Sequence, residues 1–472
     1  MTSFPTPMNG WMGLGSDERE SRLLEKNISI SVVGFGYIGA SIGLSLAAQG
    51  FSISGIDKNE RLLDNLKNGF CPFEEPGLQG LLESSLEKGK LSLSSDFSSI
   101  SNSDVIIMVV GTPLDDDYSP NMEYVESASK EIGKNLSRGA IVMVKSTVPP
   151  GTTSNSIGPI LSNESNLICG EDFGLVFSPE RVDEGNVIRG LSSLPIIIGG
   201  VNNQSAEVSS QFWSLCLGVE TMNVSNPTAA ELVKLADNLW IDLNIALANE
   251  IALVSDSIGV DAMEVISAAN TLPKGQHSVN ILYPSIGVGG YCLTKDPWFL
   301  DKYSSEMGLE LATPRTSRTI NEKMPELSVG RIRNLLSPDN GDLSNMTISI
   351  LGVSFKSNTG DMRNTPAIKI ANDLAELGAE IRIFDSLVGE EDFSSFHDSE
   401  ICSDIESAVK GANMVAVLSP HREIVDYDLR KLNSLVSDGC WFFDGRRAFN
   451  PDKVLKSGLF YSAIGGSKYE GC

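Results

Sequence analysis

A single thiol, Cys292, ends the glycine-rich run Gly287-Val288-Gly289-Gly290-Tyr291-Cys292 and is followed by Leu293-Thr294-Lys295-Asp296-Pro297. Glycines let backbone approach a neighbour closely, and the first turn of a helix favours an anionic side chain. A thiolate is a strong nucleophile where a thiol is not. Taken alone, a cysteine is more often a small buried apolar residue than a nucleophile. Asp296-Pro297 reads as a helix start, with Asp296 as the cap and Pro297 in the first turn. Upstream, Lys234 and Asn238 stand four residues apart on an otherwise apolar helical stretch and project from one face, with Asn249 about three turns further along it. A lysine there needs a reason, the competing one being a stem that packs while its amine snorkels to water.

A second centre of chemistry lies near the amino terminus. Residues 28–33 form a β-type run, followed by Gly34-Phe35-Gly36-Tyr37-Ile38-Gly39, a helical stretch to Gly50, and a second strand that ends on Asp57, 18 residues after Gly39. Strand, GxGxxG turn, helix and acid together read as a dinucleotide site. The turn lets a pyrophosphate reach the helix N-terminus, and the carboxylate accepts from a ribose 2′-hydroxyl. Asp57 would repel a 2′-phosphate, so NAD is favoured over NADP, although Lys58 and Arg61 follow closely.

These groups need strands to aim them. Val105–Val110 leads into Gly111-Thr112-Pro113, Ala140–Val144 into Lys145-Ser146-Thr147-Val148-Pro149-Pro150-Gly151, and Leu175–Phe177 into Ser178-Pro179-Glu180-Arg181. In open α/β sheets ligands bind beyond the carboxyl ends of strands, which places Glu180 in the same cleft. A long helix starts at Ser225-Asn226-Pro227, apolar on nearly every side from Ala229 to Ser257, as for a helix buried between domains or subunits. After residue 320 a second strand-helix series appears, with strands at 347–351, 381–384, 414–418 and 441–443. Lys356, Arg363 and Arg446 gather at its expected ligand-facing ends.

Composition narrows the classes. The 472 residues imply two or three domains, and 41% apolar content suits a soluble globular chain. A net charge of −25 opposes nucleic acid or an anionic membrane as partner. Lys234, Asp237, Asp242 and Glu250 interrupt the most apolar helix, so no membrane span is expected. Seven scattered cysteines and three histidines offer no metal spacing and point to a reducing cytoplasm. Residues 1–26 lack periodicity and any apolar signal run, and read as a disordered or loosely attached extension.

In their order, GFGYIG, VGTP, KSTVPPGTT, SPERVDEG, ELVKLADN, GVGGYC with KDP, FKSNTGDMRNTPA and FDGR resemble the nucleotide-sugar 6-dehydrogenases, from about residue 28 to 465. The resemblance implies an α/β fold: an NAD-binding Rossmann domain (27–222), a central helical dimerisation domain (223–322) and a Rossmann-like UDP-binding domain (323–472). It implies oxidation of a sugar C6 hydroxyl to a carboxylate with two NAD, through a thiohemiacetal and then a thioester on Cys292. Lys234 and Asn238 would stabilise an oxyanion, Asp296 and Thr147 would orient a water or relay a proton, and Glu180 would assist thioester hydrolysis.

By the same resemblance the cofactor would meet Gly34, Gly36, Tyr37, Ile38, Gly39, Asp57, Thr112, Thr147 and Lys295. The UDP-sugar would meet Glu180, Arg181, Lys234, Asn280, Tyr283, Gly289, Lys356, Arg363 and Arg446. The long helix would form the core of a homodimer or higher oligomer. SPERV, GVGG and DPWFL look like the UDP-N-acetylhexosamine branch. Ser278, where an arginine is usual, Tyr291 in place of a frequent histidine, and Lys295 depart from it, so N-acetylglucosamine and N-acetylmannosamine both stand, with UDP-glucose as the alternative. A single-step hydroxyacid-type dehydrogenase and a silent ligand sensor are the rivals from outside.

Overall fold

The structure, a computed structural model, describes residues 10–339 and 341–466. It divides into two compact units, one of residues up to Asp237 together with Trp298–Gly308, the other of Asn238–Pro297 with the residues from Leu309 on. The helix Pro227–Ile258 contributes to both.

In the first unit, eight strands form one sheet: β1 (Ser29–Val33), β2 (Ser52–Ile56), β3 (Leu91–Ser94), β4 (Val105–Met108), β5 (Ile141–Val144), β6 (Gly174–Phe177), β7 (Ile196–Gly200) and β8 (Thr221–Val224), in the order 3-2-1-4-5-6-7-8. All neighbours run parallel except β6 and β7. Val-Ile-Ile-Met of β4 and Ile-Val-Met-Val of β5 are buried throughout, because helices cover both faces of a parallel sheet. In β1, Val33 pairs with Ile56 on one side and Met108 on the other. The strand order reverses there, and a cleft opens at the carboxyl ends.

Gly10–Lys26 are not a loose extension. Trp11–Gly13 form a short 3₁₀ turn, and Ser16–Leu24 form a helix. Trp11, Met12 and Leu23 are buried in the first core, the Met12 amide donates to the Gly139 carbonyl (2.7 Å), and Gln204 and Gln211 donate to the Met12 and Ser16 carbonyls. Three buried apolar side chains suffice, too few to leave a periodic pattern. The rest of that expectation, residues 1–9, lies outside the described residues.

In the second unit, a small hairpin, β9 (Pro273–Lys274) and β10 (His277–Ser278), precedes a six-stranded parallel sheet. Its strands are β11 (Thr347–Leu351), β12 (Glu380–Phe384), β13 (Ser399–Ile401), β14 (Met414–Val417), β15 (Trp441–Asp444) and β16 (Phe460–Ala463), in the order 13-12-11-14-15-16. This half-sheet repeats the wiring around β1, with β11 as its centre. The expected α/β class is therefore present, with one mostly parallel sheet and one wholly parallel sheet. Asn226 caps the long helix, its Oδ1 accepting from the Ala229 amide at 2.9 Å, with Pro227 in the first turn. Among the described residues no helix is long and apolar enough to cross a membrane, and no group of three or more His, Cys, Asp or Glu could hold a metal.

Candidate active site

The glycine turn after β1 makes a cradle. A Cβ on Gly39 would lie 1.9 Å from the Gly34 carbonyl oxygen, so only glycine lets helix Tyr37–Ala48 pack that close, whereas a Cβ on Gly36 would meet nothing within 4 Å. Gly36 thus presents open space where a ligand's phosphates can approach backbone. Asp57 at the end of β2 is held by the amides of Phe35 (2.7 Å) and Asn59 (2.9 Å). A cavity of about 380 Å³ is lined by Gly34, Gly36, Asp57, Lys58, Val110 and Gly111, among others. An open glycine turn and a carboxylate at the end of the neighbouring strand are the groups that a dinucleotide's pyrophosphate and ribose would require. Of the two cations that follow Asp57, Lys58 and Arg61, Lys58 donates to the Ser127 hydroxyl at 2.8 Å.

Tyr37 serves a neighbouring loop. Its hydroxyl donates to Glu75 (2.5 Å) and accepts from the Gly185 amide (3.0 Å), and burial with the Glu75 bond pushes its ionisation up. Glu75 also accepts from the Ile188 amide at 3.3 Å. The cofactor turn and the loop that begins with Glu180 are thereby tied together. Thr112 is buried after β4, and Thr147 is partly buried after β5.

Glu180 follows β6. Its Oε1 accepts from the amides of Arg181 (2.8 Å) and Val182 (3.0 Å), while Oε2 lies 3.6 Å from Lys145 Nζ. Arg181 is committed to Asp237 on the long helix (2.7 Å) and to the Pro195 carbonyl. Lys234 is 9% exposed, one helical turn before Asn238 on the same face. One turn earlier still, the fully buried Glu231 accepts from the amides of Gly151 (2.5 Å) and Thr153 (2.7 Å), pinning the turn Pro149-Pro150-Gly151; burial pushes its carboxyl up against those two donors. Sequence reasoning passed over Lys145 and Glu231. The first had a readable signal, a charge directly after a wholly apolar strand; the second had none, because its partners are backbone.

In the second unit, Cys292 is exposed and is the second residue of helix Tyr291–Glu306. Lys295 and Asp296, three and four residues on, share its helix face. Both are buried: Lys295 Nζ donates to Asp296 Oδ1 at 2.6 Å, and Asn238 Nδ2 donates to Asp296 Oδ2 at 2.5 Å. Asp296 is therefore not a helix cap, because the helix starts five residues earlier, at Tyr291.

Pro297 then lies inside the helix, where it cannot donate to the Leu293 carbonyl. Arg318 supplies the missing donor, Nη1 to Leu293 O at 3.3 Å, while the same Nη1 pairs with Asp242 Oδ1 at 2.8 Å. Asn321 donates to Asp242 (2.8 Å), Asn249 to Asn321 (2.9 Å), and the Ser285 amide to Asn249 (2.8 Å). This buried chain leads from the helices to the segment before the glycine run.

That run serves protein packing as well as any ligand. A Cβ on Gly289 would lie 2.6 Å from Phe355 Cβ and 2.8 Å from the Asn364 carbonyl. Asn280 and Tyr283 are exposed, the Asn280 carbonyl accepting from Asn244. The three cations of the second sheet differ. Arg446 gives its guanidinium to the carbonyls of Leu418 (3.0 Å), Gly287 (3.1 Å) and Phe355 (3.1 Å), and burial pushes its pKa down to about 10. Arg363 pairs with Asp361 and stacks 5.7 Å from the Tyr291 ring centroid; Lys356 is partly buried after β11. Asp385, at the end of β12, takes the place Asp57 has after β2. It accepts from the Val353 amide (2.8 Å) and from His421 Nε2 (2.9 Å), whose Nδ1 accepts from the Asn358 amide.

Three family models match in order: the NAD binding domain of the UDP-glucose/GDP-mannose dehydrogenase family over residues 28–215, its central domain over 228–323 and its UDP binding domain over 349–451. The chain is 33% identical over 437 residues to a UDP-N-acetyl-D-mannosamine dehydrogenase of Pyrococcus horikoshii, covering 92% of this chain and 99% of that one. A solved structure of a UDP-D-ManNAc dehydrogenase from that organism superposes with a TM-score of 0.82 at 31% identity, covering 93% and 99% of the two chains. A UDP-glucose dehydrogenase from Pyrobaculum islandicum superposes with a TM-score of 0.81 at 27% identity, covering 93% and 98%.

Proposed function

Because the chain belongs to the UDP-glucose/GDP-mannose dehydrogenase family and is an NAD-dependent nucleotide-sugar dehydrogenase, we propose that it oxidises the C6 hydroxyl of a UDP-N-acetylhexosamine to the carboxylate, using Cys292 as nucleophile. The observation that carries this reading is the helix turn around Cys292. An exposed thiol in a first turn has Lys295 and Asp296 on its own face, and Asn238 is bonded to that Asp296. N-acetylmannosamine leads among the sugars, since the Pyrococcus relative carries that name at 33% identity; UDP-glucose is the alternative, favoured by the likeness to the Pyrobaculum structure.

NAD, held by the glycine turn and Asp57, would accept the hydride in each oxidation. The protein's own groups do the rest. Asp296 or a water it orients, with Thr147, takes the C6 hydroxyl proton. Cys292 adds to the resulting aldehyde, which keeps the aldehyde from leaving, and Lys234 with Asn238 neutralises the oxyanion so formed. After the second oxidation Glu180 assists water in cleaving the thioester. Lys356, Arg363 and the turn held by Arg446 serve the UDP moiety. The protein works as a cytoplasmic homodimer or higher homo-oligomer, built on the outward apolar face of the long helix, where Trp240 is 48% and Val254 60% exposed.

The test is a panel of UDP-sugars with NAD, with NADH counted per sugar and the product weighed by mass spectrometry. Two NADH and a carboxylate on an N-acetylhexosamine are expected; one NADH per sugar would refute the double oxidation. A Cys292→Ser variant with unchanged turnover would remove the thiol from the mechanism.

A further inference from the structure

Lys145 is a buried ammonium that the reading above leaves without a task. Its side chain is 1% exposed, its Nζ donates to the Ser178 carbonyl at 3.0 Å, and it lies 4.9 Å from the centroid of the Trp213 ring. Burial pushes its pKa down; Glu180 opposes that shift, and the nearby charge of Lys234 adds to it. A buried cation costs several kcal/mol unless compensated, and here the compensating carboxylate is Glu180. At 3.6 Å the pair is an ion pair longer than a hydrogen bond.

Glu180 is lopsided in a complementary way. Oε1 is saturated by two backbone amides, whereas Oε2 is buried without a hydrogen-bond partner among the described residues. A cavity of about 10 Å³ beside it is lined by Lys145, Glu180, Arg181 and Val182, among others. That is room for about one water. One oxygen of the carboxylate is thus fixed by backbone amides, and the other faces the Lys145 ammonium with its hydrogen-bonding capacity unspent among the described residues.

We propose that Lys145 is a positioning residue for thioester hydrolysis, its ammonium holding Glu180 Oε2 where that oxygen takes a proton from the attacking water. The inference rests on the hydrolytic role of Glu180 proposed above. In that step the water oxygen bonds to the acyl carbon, the carbon–sulfur bond breaks, and Cys292 leaves with the electron pair. One proton of the water goes to Glu180 and the other to the sulfur or to solvent, with no change in oxidation state. Lys145 gives up no proton and makes no bond to substrate in this account; it acts through Glu180.

The experiment follows the full-length enzyme with NAD and the UDP-sugar that the wild type oxidises. Wild type giving two NADH per sugar upholds the underlying reading; failure there sinks that reading before Lys145 is at issue. Lys145→Met is expected to release about two NADH per active site in a burst, then to turn over about 100-fold more slowly, the order of loss for a misplaced catalytic group. A sugar-acyl adduct on Cys292 should be seen by intact mass, with the KM for NAD unchanged. An undiminished steady state, or a uniform slowing without adduct, overturns the proposal. If Lys145→Met fails to fold, Glu180→Gln is compared with the double variant, in which neither charge of the pair remains. Equal hydrolysis rates are expected, and a further loss in the double variant would show that Lys145 acts independently of Glu180.

Discussion

Asn238 Nδ2 donates to Asp296 Oδ2 at 2.5 Å, and Lys295 occupies the other oxygen of the same carboxylate at 2.6 Å. Asn238, 58 positions away in sequence, and the adjacent Lys295 thus fix one buried carboxylate a helical turn from the thiol.

Asn238→Ala would leave that carboxylate with one partner fewer. A lost hydrogen bond to a charged group is worth about 1.5–3 kcal/mol, so about a 10- to 100-fold fall in kcat is expected with the KM for NAD little changed. Steady-state kinetics check this; an equal rise in both KM values would argue for general loosening instead.

Asp57→Asn keeps the shape of the acceptor and removes its charge. NAD should bind about 10-fold more weakly and NADP more tightly than before, by the loss of repulsion toward a 2′-phosphate. Titration of each dinucleotide reads both constants.

Arg318→Met leaves the Leu293 carbonyl and the Asp242 carboxylate without their shared donor. Removing one member of a buried ion pair costs about 3–5 kcal/mol, visible as a lower midpoint in urea. Arg318→Lys should recover only part of this, because an ammonium cannot reach Asp242, Leu293 and Glu322 as the guanidinium does.

Asp385 supplies a pH dependence. Burial alone would raise its pKa, but His421 and the Val353 and Leu387 amides hold it below the ordinary carboxylate value. A depressed folded pKa means stability that is present above the unfolded value, near 4, and is lost as pH falls through the folded value. Urea midpoints should therefore drop on acidification below about pH 4, and Asp385→Asn should start lower and show a shallower fall.

The outward face of the helix Pro227–Ile258 carries Leu232, Trp240, Leu247, Val254 and Ile258, all exposed. If a second copy covers them, Leu247→Glu with Val254→Lys should shift the sedimentation coefficient to that of a smaller species. An unchanged coefficient would place the association elsewhere.

The elements of both sheets that were legible in the chain were those with continuous apolar runs, such as β4 and β5, and the glycine turn, where a Cβ is sterically impossible. β3, β7, β8, β13 and β16 were missed, β7 despite its apolar run Ile196-Ile197-Ile198, and so was the ordered start at Trp11. Local propensity carries little information about a segment whose stability comes from what it packs against. Asp296 shows the same limit: Asp-Pro is a sound local signal for a helix start, yet Arg318 lets the helix begin a turn and more earlier by serving the carbonyl that proline abandons.

Sequence alone determined the residue types that do chemistry and the order of motifs that marks the family, because covalent identity and close spacing survive without coordinates. Tertiary structure decided the partners. It gave Asp296 to Asn238 and Lys295, Tyr37 to Glu75, Arg446 to three carbonyls and Lys145 to Glu180. A buried polar group must find its partner wherever the fold brings one, and no spacing rule along the chain encodes that choice.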